Sequence, residues 1–209
     1  MRAVFAVVVF FGALTSVASP IVPARRVGGE LPALPAIRVA WTEGAFELSV
    51  DPSGAVTKVR VLTATPDGPK LIQPALATWR FSAAKQDGRP VASHVFVSAV
   101  FRPPQLTNNP TIGSGARMIE AASDDVPKPL KTPVPPYPIN AIDDAVVAVE
   151  LEIDPDGSVY DARVVAGIPP FSDVAVDAAR KWTFSPARSD GQPVLAYAYL
   201  IFGFPKPVT

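Results

Sequence analysis

The chain has 209 residues, with 19 basic and 19 acidic side chains, one histidine and no cysteine. That length fits one medium domain or two small ones, and the balanced charge removes the basic footprint of a nucleic-acid binder. Without cysteine there are no disulfides and no thiolate chemistry, and a single histidine excludes ordinary zinc sites and His-rich catalytic clusters. Proline is the compositional outlier, at 25 residues, more than twice the usual share of about 5%. Glycine is ordinary at 13 residues, which points to folded units with proline-marked boundaries.

The first element is a targeting segment. Arg2 precedes an uncharged run from Ala3 to Ala24, almost wholly apolar between Val4 and Leu14. Ser16-Val17-Ala18 supplies the small-x-small pattern read by a signal peptidase. Cleavage there makes residues 1–18 a signal peptide and 19–30 a leader to the mature chain. The competing reading is a membrane anchor at 3–24, since a span needs about 20 apolar residues. Pro20 and Pro23 interrupt its second half, and Arg25 and Arg26 would sit outside, against the positive-inside tendency. The sequence therefore favours cleavage. Either way the remainder is expected to leave the cytoplasm.

Shifted by 103 residues, the chain lies on itself without a gap. Glu47-Leu48-Ser49-Val50-Asp51-Pro52-Ser53-Gly54 meets Glu150-Leu151-Glu152-Ile153-Asp154-Pro155-Asp156-Gly157. Trp79-Arg80-Phe81-Ser82 meets Trp182-Thr183-Phe184-Ser185, and Asp87-Gly88-Arg89-Pro90-Val91 meets Asp190-Gly191-Gln192-Pro193-Val194. From Glu47 to Pro104 there are 20 identities in 58 pairs, where typical composition would give about three or four. The expectation is two copies of one small domain, 31–104 and 134–209, joined by a Pro- and Gly-containing linker at 105–133.

Each copy reads alike. Val147, Val149, Leu151 and Ile153 alternate with small or polar residues, as a half-buried strand should. Asp154-Pro155-Asp156-Gly157 is turn chemistry, and a second strand near Val159–Val165 closes a hairpin. Ser172 or Asp173 can cap a helix running to about Lys181, with Ala175, Ala178, Ala179 and Trp182 on one face. In the first copy Pro74 falls in this element, which requires it to lie in the first turn. A third strand runs through Leu195–Phe204, matching Ala92–Phe101, and a short helix is expected near Tyr137–Asp144. The fold class is α+β: two tandem domains, each a three-stranded antiparallel sheet with one or two helices in (α)ββαβ order.

Chemistry-bearing residues are few. His94 is replaced by Tyr197 in the other copy, so no Ser-His-Asp constellation forms around it. Asp51 and Asp154 sit at the mouths of Pro-x-Gly turns, where capping explains them. Trp79 and Trp182 end their helices as core anchors. No glycine-rich phosphate loop leads into a helix. No enzyme, cofactor or metal is expected.

The third strand is more informative. If Val95, Val97, Ala99 and Phe101 face the helices, then His94, Phe96, Ser98 and Val100 face away. In the second copy Ala198, Leu200, Phe202 and Phe204 point inward, leaving Tyr197, Tyr199, Ile201 and Gly203 outside. That outer face is too apolar to be left in water. It is either covered within the protein or is a surface where an extended peptide adds to the sheet edge. Leu195, Tyr197, Tyr199, Ile201, Phe96 and His94 are the candidate peptide-binding residues.

Taken with Val134-Pro135-Pro136-Tyr137-Pro138, Ala178-Ala179-Arg180-Lys181-Trp182-Thr183-Phe184-Ser185-Pro186-Ala187 and the two Asp-bearing turns, each copy resembles the carboxy-terminal domain of TonB, the energy transducer of Gram-negative bacteria. The first copy lacks the tyrosine of Pro-x-Tyr-Pro. The resemblance implies a periplasmic domain that grips the TonB box of an outer-membrane receptor by strand addition at its last strand, here Leu195–Phe204. It also implies, as a further partner, an inner-membrane proton-channel complex, reached through an anchor at 3–24. The departures are specific. The run Ala3–Ala24 holds no histidine, and Pro127–Pro138 is a dozen residues, reaching roughly 40 Å at most when extended. The alternative is a periplasmic interaction or structural module with no energy-transducing role. Self-association through edge strands is a further expectation.

Overall fold

The computed structural model describes residues 21–35, 41–102 and 116–206. The expected signal peptide, 1–18, lies outside them, as does most of the alternative anchor at 3–24. Among the described residues no helix is long and apolar enough to cross a membrane.

The fold is α+β, mostly strand, with two helices among the described residues. Its main elements are β1 (Thr42–Val50), β2 (Val56–Ala64), α1 (Gly68–Ala77), β3 (Ser93–Phe101), β4 (Ala145–Ile153), β5 (Val159–Ala166), α2 (Phe171–Ala179) and β6 (Ala196–Phe204). The succession of 42–101 thus recurs at 145–204. The expected pair of three-stranded sheets is replaced by one sheet of seven strands, in the order β5-β4-β6-β3-β1-β2 and then Arg117–Met118. All neighbours are antiparallel except β6 and β3, which run parallel.

Local chemistry explains the hairpins. At the β4–β5 turn the Gly157 amide donates to the Asp154 carbonyl at 2.8 Å, with Gly157 at a φ of 87°. In the equivalent turn the Asp51 carboxylate accepts from the Ser53 amide and hydroxyl and from the Ala55 amide. Asp87-Gly88 and Asp190-Gly191 have positive φ at both residues, the type I′ geometry that matches strand twist. They close the small hairpins Ala84–Gln86 with Arg89–Val91 and Ala187–Ser189 with Gln192–Val194.

The helices depart from expectation in detail. α2 starts two to three residues early, with Pro170 at its N-cap and no side-chain cap, so Ser172 and Asp173 lie in its first turn. In α1 Pro74 stands inside the helix rather than in the first turn. Its ring is exposed, so the break that proline makes in the helical ladder falls on the solvent side. The short helix expected near Tyr137–Asp144 is a turn, closed by the Ala141 amide on the Pro138 carbonyl at 3.1 Å. Consecutive prolines disfavour helical backbone ahead of it, and the Tyr137 hydroxyl, donating to the Asp143 carbonyl, closes the loop instead.

Described parts of the leader and the linker add to the short strands after α1 and α2, in small sheets separate from the seven-stranded one. Arg25–Gly28 pairs with Arg80–Ser82, and Lys128–Lys131 pairs with Thr183–Ser185. Trp79 and Trp182 are buried and donate their indole N–H to the carbonyls of Glu30 (2.7 Å) and Pro133 (2.9 Å). The core lies on both faces of the sheet. On one, Ile72 and Leu76 of α1 pack with Phe46, Leu48, Val95, Val97 and Trp79. On the other, Phe171, Ala175 and Ala179 of α2 pack with Val149, Leu151, Leu200, Phe202 and Trp182.

Candidate functional site

The two third strands meet in the middle of the molecule. β6 and β3 form a parallel ladder from Ala198 against Phe96 to Gly203 against Phe101. The pairing offset is therefore 102 residues, one short of the 103 at which the sequence repeats. With a side-chain period of two, that single step turns the outward face of each strand toward the other half's helix. Phe96 and Val100 lie in the core beneath α2, while Tyr199 and Ile201 lie in the core beneath α1. The facing pattern read from the sequence is the one observed. The free edge is not, because each third strand is paired on both sides.

Close packing fixes this seam. Gly203 stands beside Phe101, and a Cβ there would lie 2.1 Å from the ring. Phe96 meets Phe184 edge-on with centroids 6.3 Å apart. Tyr199 is fully buried and meets Trp79 at 5.5 Å and Phe81 at 6.0 Å, both edge-to-face.

The Tyr199 hydroxyl organises the polar part. It donates to Glu150 Oε2 at 2.9 Å and accepts from the Arg26 amide at 2.6 Å. Glu150 Oε1 accepts from Arg25 Nε and Nη2, at 3.0 and 2.8 Å, and from Arg163 Nη2 at 2.9 Å. The Arg26 guanidinium lies 4.5 Å above the Trp79 ring, a favourable cation–π placement. Leader and second half are thereby tied together at one buried carboxylate, and Arg26 and Tyr199 join both to Trp79 of the first half. Burial pushes the Tyr199 hydroxyl far above its ordinary range. Burial alone would raise Glu150, but hydrogen bonds from Arg25, Arg163 and Tyr199 outweigh it and hold the carboxyl below its usual range.

A group held low in the folded state contributes stability above its unfolded pKa, about 4.3 for glutamate, and loses it as pH falls through the folded value. Stability should therefore drop more steeply in wild type than in Glu150→Gln as pH is lowered from 5 toward 3. Urea midpoints across that range measure it, and equal slopes would remove Glu150 from the account.

The six candidate residues divide into two groups. Phe96, Tyr199 and Ile201 are internal, at 1%, 0% and 0% exposure. His94, Tyr197 and Leu195 are half-buried and line an open pocket of about 260 Å³ at the start of the seam, with Ser93, Asp125 and Arg188. His94 Nδ1 lies 2.8 Å from Asp125 Oδ2, which raises the imidazole pKa. Tyr197 carries the Arg25 guanidinium 5.2 Å above its ring. Sequence reasoning missed Glu150, Arg163, Arg25 and Arg26. A signal existed in the repeat, where Glu47 with Arg60 and Glu150 with Arg163 are identical pairs. Glu47 is likewise buried and bonded to Arg60 at 2.8 Å.

Residues 133–204 match the family model for the Gram-negative bacterial TonB protein C-terminal. The match covers about a third of the chain and takes in β4, β5, α2 and β6. The family is one of the Gram-negative envelope, and its members interact with outer-membrane receptors in general. No curated protein matched the sequence.

Proposed function

We propose that this is an exported, periplasmic protein-interaction module of the TonB C-terminal type, non-enzymatic and without energy coupling of its own. In this reading residues 31–104 are a diverged second copy of the matched domain. The observation that carries it is the parallel ladder between β6 and β3. The strand that a receptor peptide would extend is already extended by the chain's own first half.

Magnitudes favour a resident occupant. Fully burying a large apolar side chain contributes roughly 1.5–3 kcal/mol, so exposing Phe96, Tyr199 and Ile201 costs on the order of 5 kcal/mol or more. A peptide binding at micromolar Kd supplies about 8 kcal/mol in all, most of which displacement of β3 would consume. The second reading, capture of TonB-box peptides at Leu195–Phe204 within energised outer-membrane transport, draws its support from the family match. It requires the seam to open.

An NMR titration with TonB-box peptides, combined with amide hydrogen exchange, separates the two. The proposal expects β6 amides to be protected without peptide and unmoved at millimolar peptide. Saturable shifts along Leu195–Phe204 would replace it with the receptor-binding reading.

A further inference from the structure

Closing the seam leaves the sheet with two outer edges, and they are treated differently. At the β2 edge an extended segment adds antiparallel, with Met118 against Thr63 and Arg117 against Ala64. The amides of Ile119 and Glu120 both donate to the Leu62 carbonyl, at 2.7 and 3.1 Å. Arg60 anchors the segment by side chain, with Nη1 on Glu120 Oε1 at 2.9 Å and Nη2 on the Ala121 carbonyl at 3.1 Å. Under this cover Leu62 is buried.

The β5 edge repeats that construction without the cover. The bulge that throws the Leu62 carbonyl outward lies between the pairs Ala45–Thr63 and Phe46–Val61. It recurs between Ala148–Ala166 and Val149–Val164, placing Val165 in the same position. Arg163 stands where Arg60 does, bonded through Nη2 to its own buried glutamate. Its Nη1 finds no acceptor among the described residues, and its side chain is 54% exposed against 22% for Arg60. Val164, Val165 and Ala166 are only half-buried, and Tyr160 and Ile168 are exposed at either end of the strand. No described strand pairs with the outer side of β5.

We infer that β5 is a docking edge for an extended strand of a partner protein that carries a carboxylate. The strand pairs antiparallel with Val165–Gly167 through its backbone, the equivalents of Leu62–Ala64, and sets its Asp or Glu on Arg163, as Glu120 sits on Arg60. Backbone pairing supplies the affinity and the single charge supplies the register. The edge lies two strands from the seam, so the inference holds whichever reading of β6 is correct.

The probe is a synthetic peptide of residues 116–123, titrated into the isotope-labelled full chain. Saturable shifts at Val165–Gly167 are expected, with affinity falling at least tenfold when the peptide carries Glu120→Lys, and at least fivefold for the Arg163→Gln chain with the native peptide. The peptide variant leaves the folded chain untouched, so its result stands even if Arg163→Gln folds poorly. Shifts confined to Thr63–Ala64, or none at millimolar peptide, would overturn the inference. So would concentration-dependent shifts along Val159–Ala166 without peptide, which would assign the edge to a second copy, or protection of its outward amides in the free chain, which would assign it to the chain itself.

Discussion

Tyr199→Ala should lower the unfolding free energy by about 4 kcal/mol, the range for truncating a buried aromatic being roughly 3–5 kcal/mol. The ring is fully buried between Trp79 and Phe81, so the cavity opens where neither half can collapse into it without moving the other. Tyr199→Phe separates the hydroxyl from the ring. It keeps the packing but leaves the Arg26 amide without its acceptor and Glu150 one donor short, at a cost of about 1–3 kcal/mol. Urea denaturation of the two variants measures both quantities. A loss below about 1 kcal/mol for the alanine variant would mean that the seam does not carry the fold.

The second large effect is expected at the β4–β5 turn. Gly157 and Gly191 share a left-handed backbone, with φ of 87° and 76°, so alanine at either costs roughly 1–2 kcal/mol in conformation. They differ in room. A Cβ on Gly157 would lie 1.9 Å from the Phe184 carbonyl oxygen, whereas Gly191 has nothing within 4 Å. The Phe184 amide also donates to the Gly157 carbonyl at 2.9 Å, pinning the turn to the strand after α2. Gly157→Ala should therefore cost about 3 kcal/mol or more and Gly191→Ala about 1 kcal/mol. Thermal melts of both variants give the comparison, and equal shifts in Tm would show that backbone conformation, not the close approach, dominates.

Much of this was legible in the sequence because the signals are local. Alternation and turn chemistry gave the six long strands to within two residues, whereas the Asp-Gly pairs read only as turns, without the small hairpins they close. The inward and outward faces of Val95–Phe101 and Ala198–Phe204 followed from the same period of two. What could not be read was which partner an apolar outer face had. Tyr199 and Ile201 carry the same pattern whether a peptide, a second molecule or the other half covers them. Only the ladder offset decides, and an offset between strands about a hundred residues apart leaves no periodic trace. Pro74 and the turn at Tyr137–Asp144 were misjudged for the converse reason, since tertiary packing overrode local propensity at both. Arg25 and Glu150 escaped because ion pairs 125 residues apart are invisible to spacing arguments.

The parallel pairing of β3 with β6 has a further consequence for what counts as a unit of folding. Each half supplies the lid over the other's last strand, so neither can leave water alone with its core complete. Unfolding is then a single cooperative event for both halves, although their sequences repeat. A solitary half would satisfy the same surfaces only by finding another half in solution. The seam is in effect a homodimer interface carried inside one polypeptide, where linkage raises the effective concentration of the partner and removes dilution as a route to dissociation.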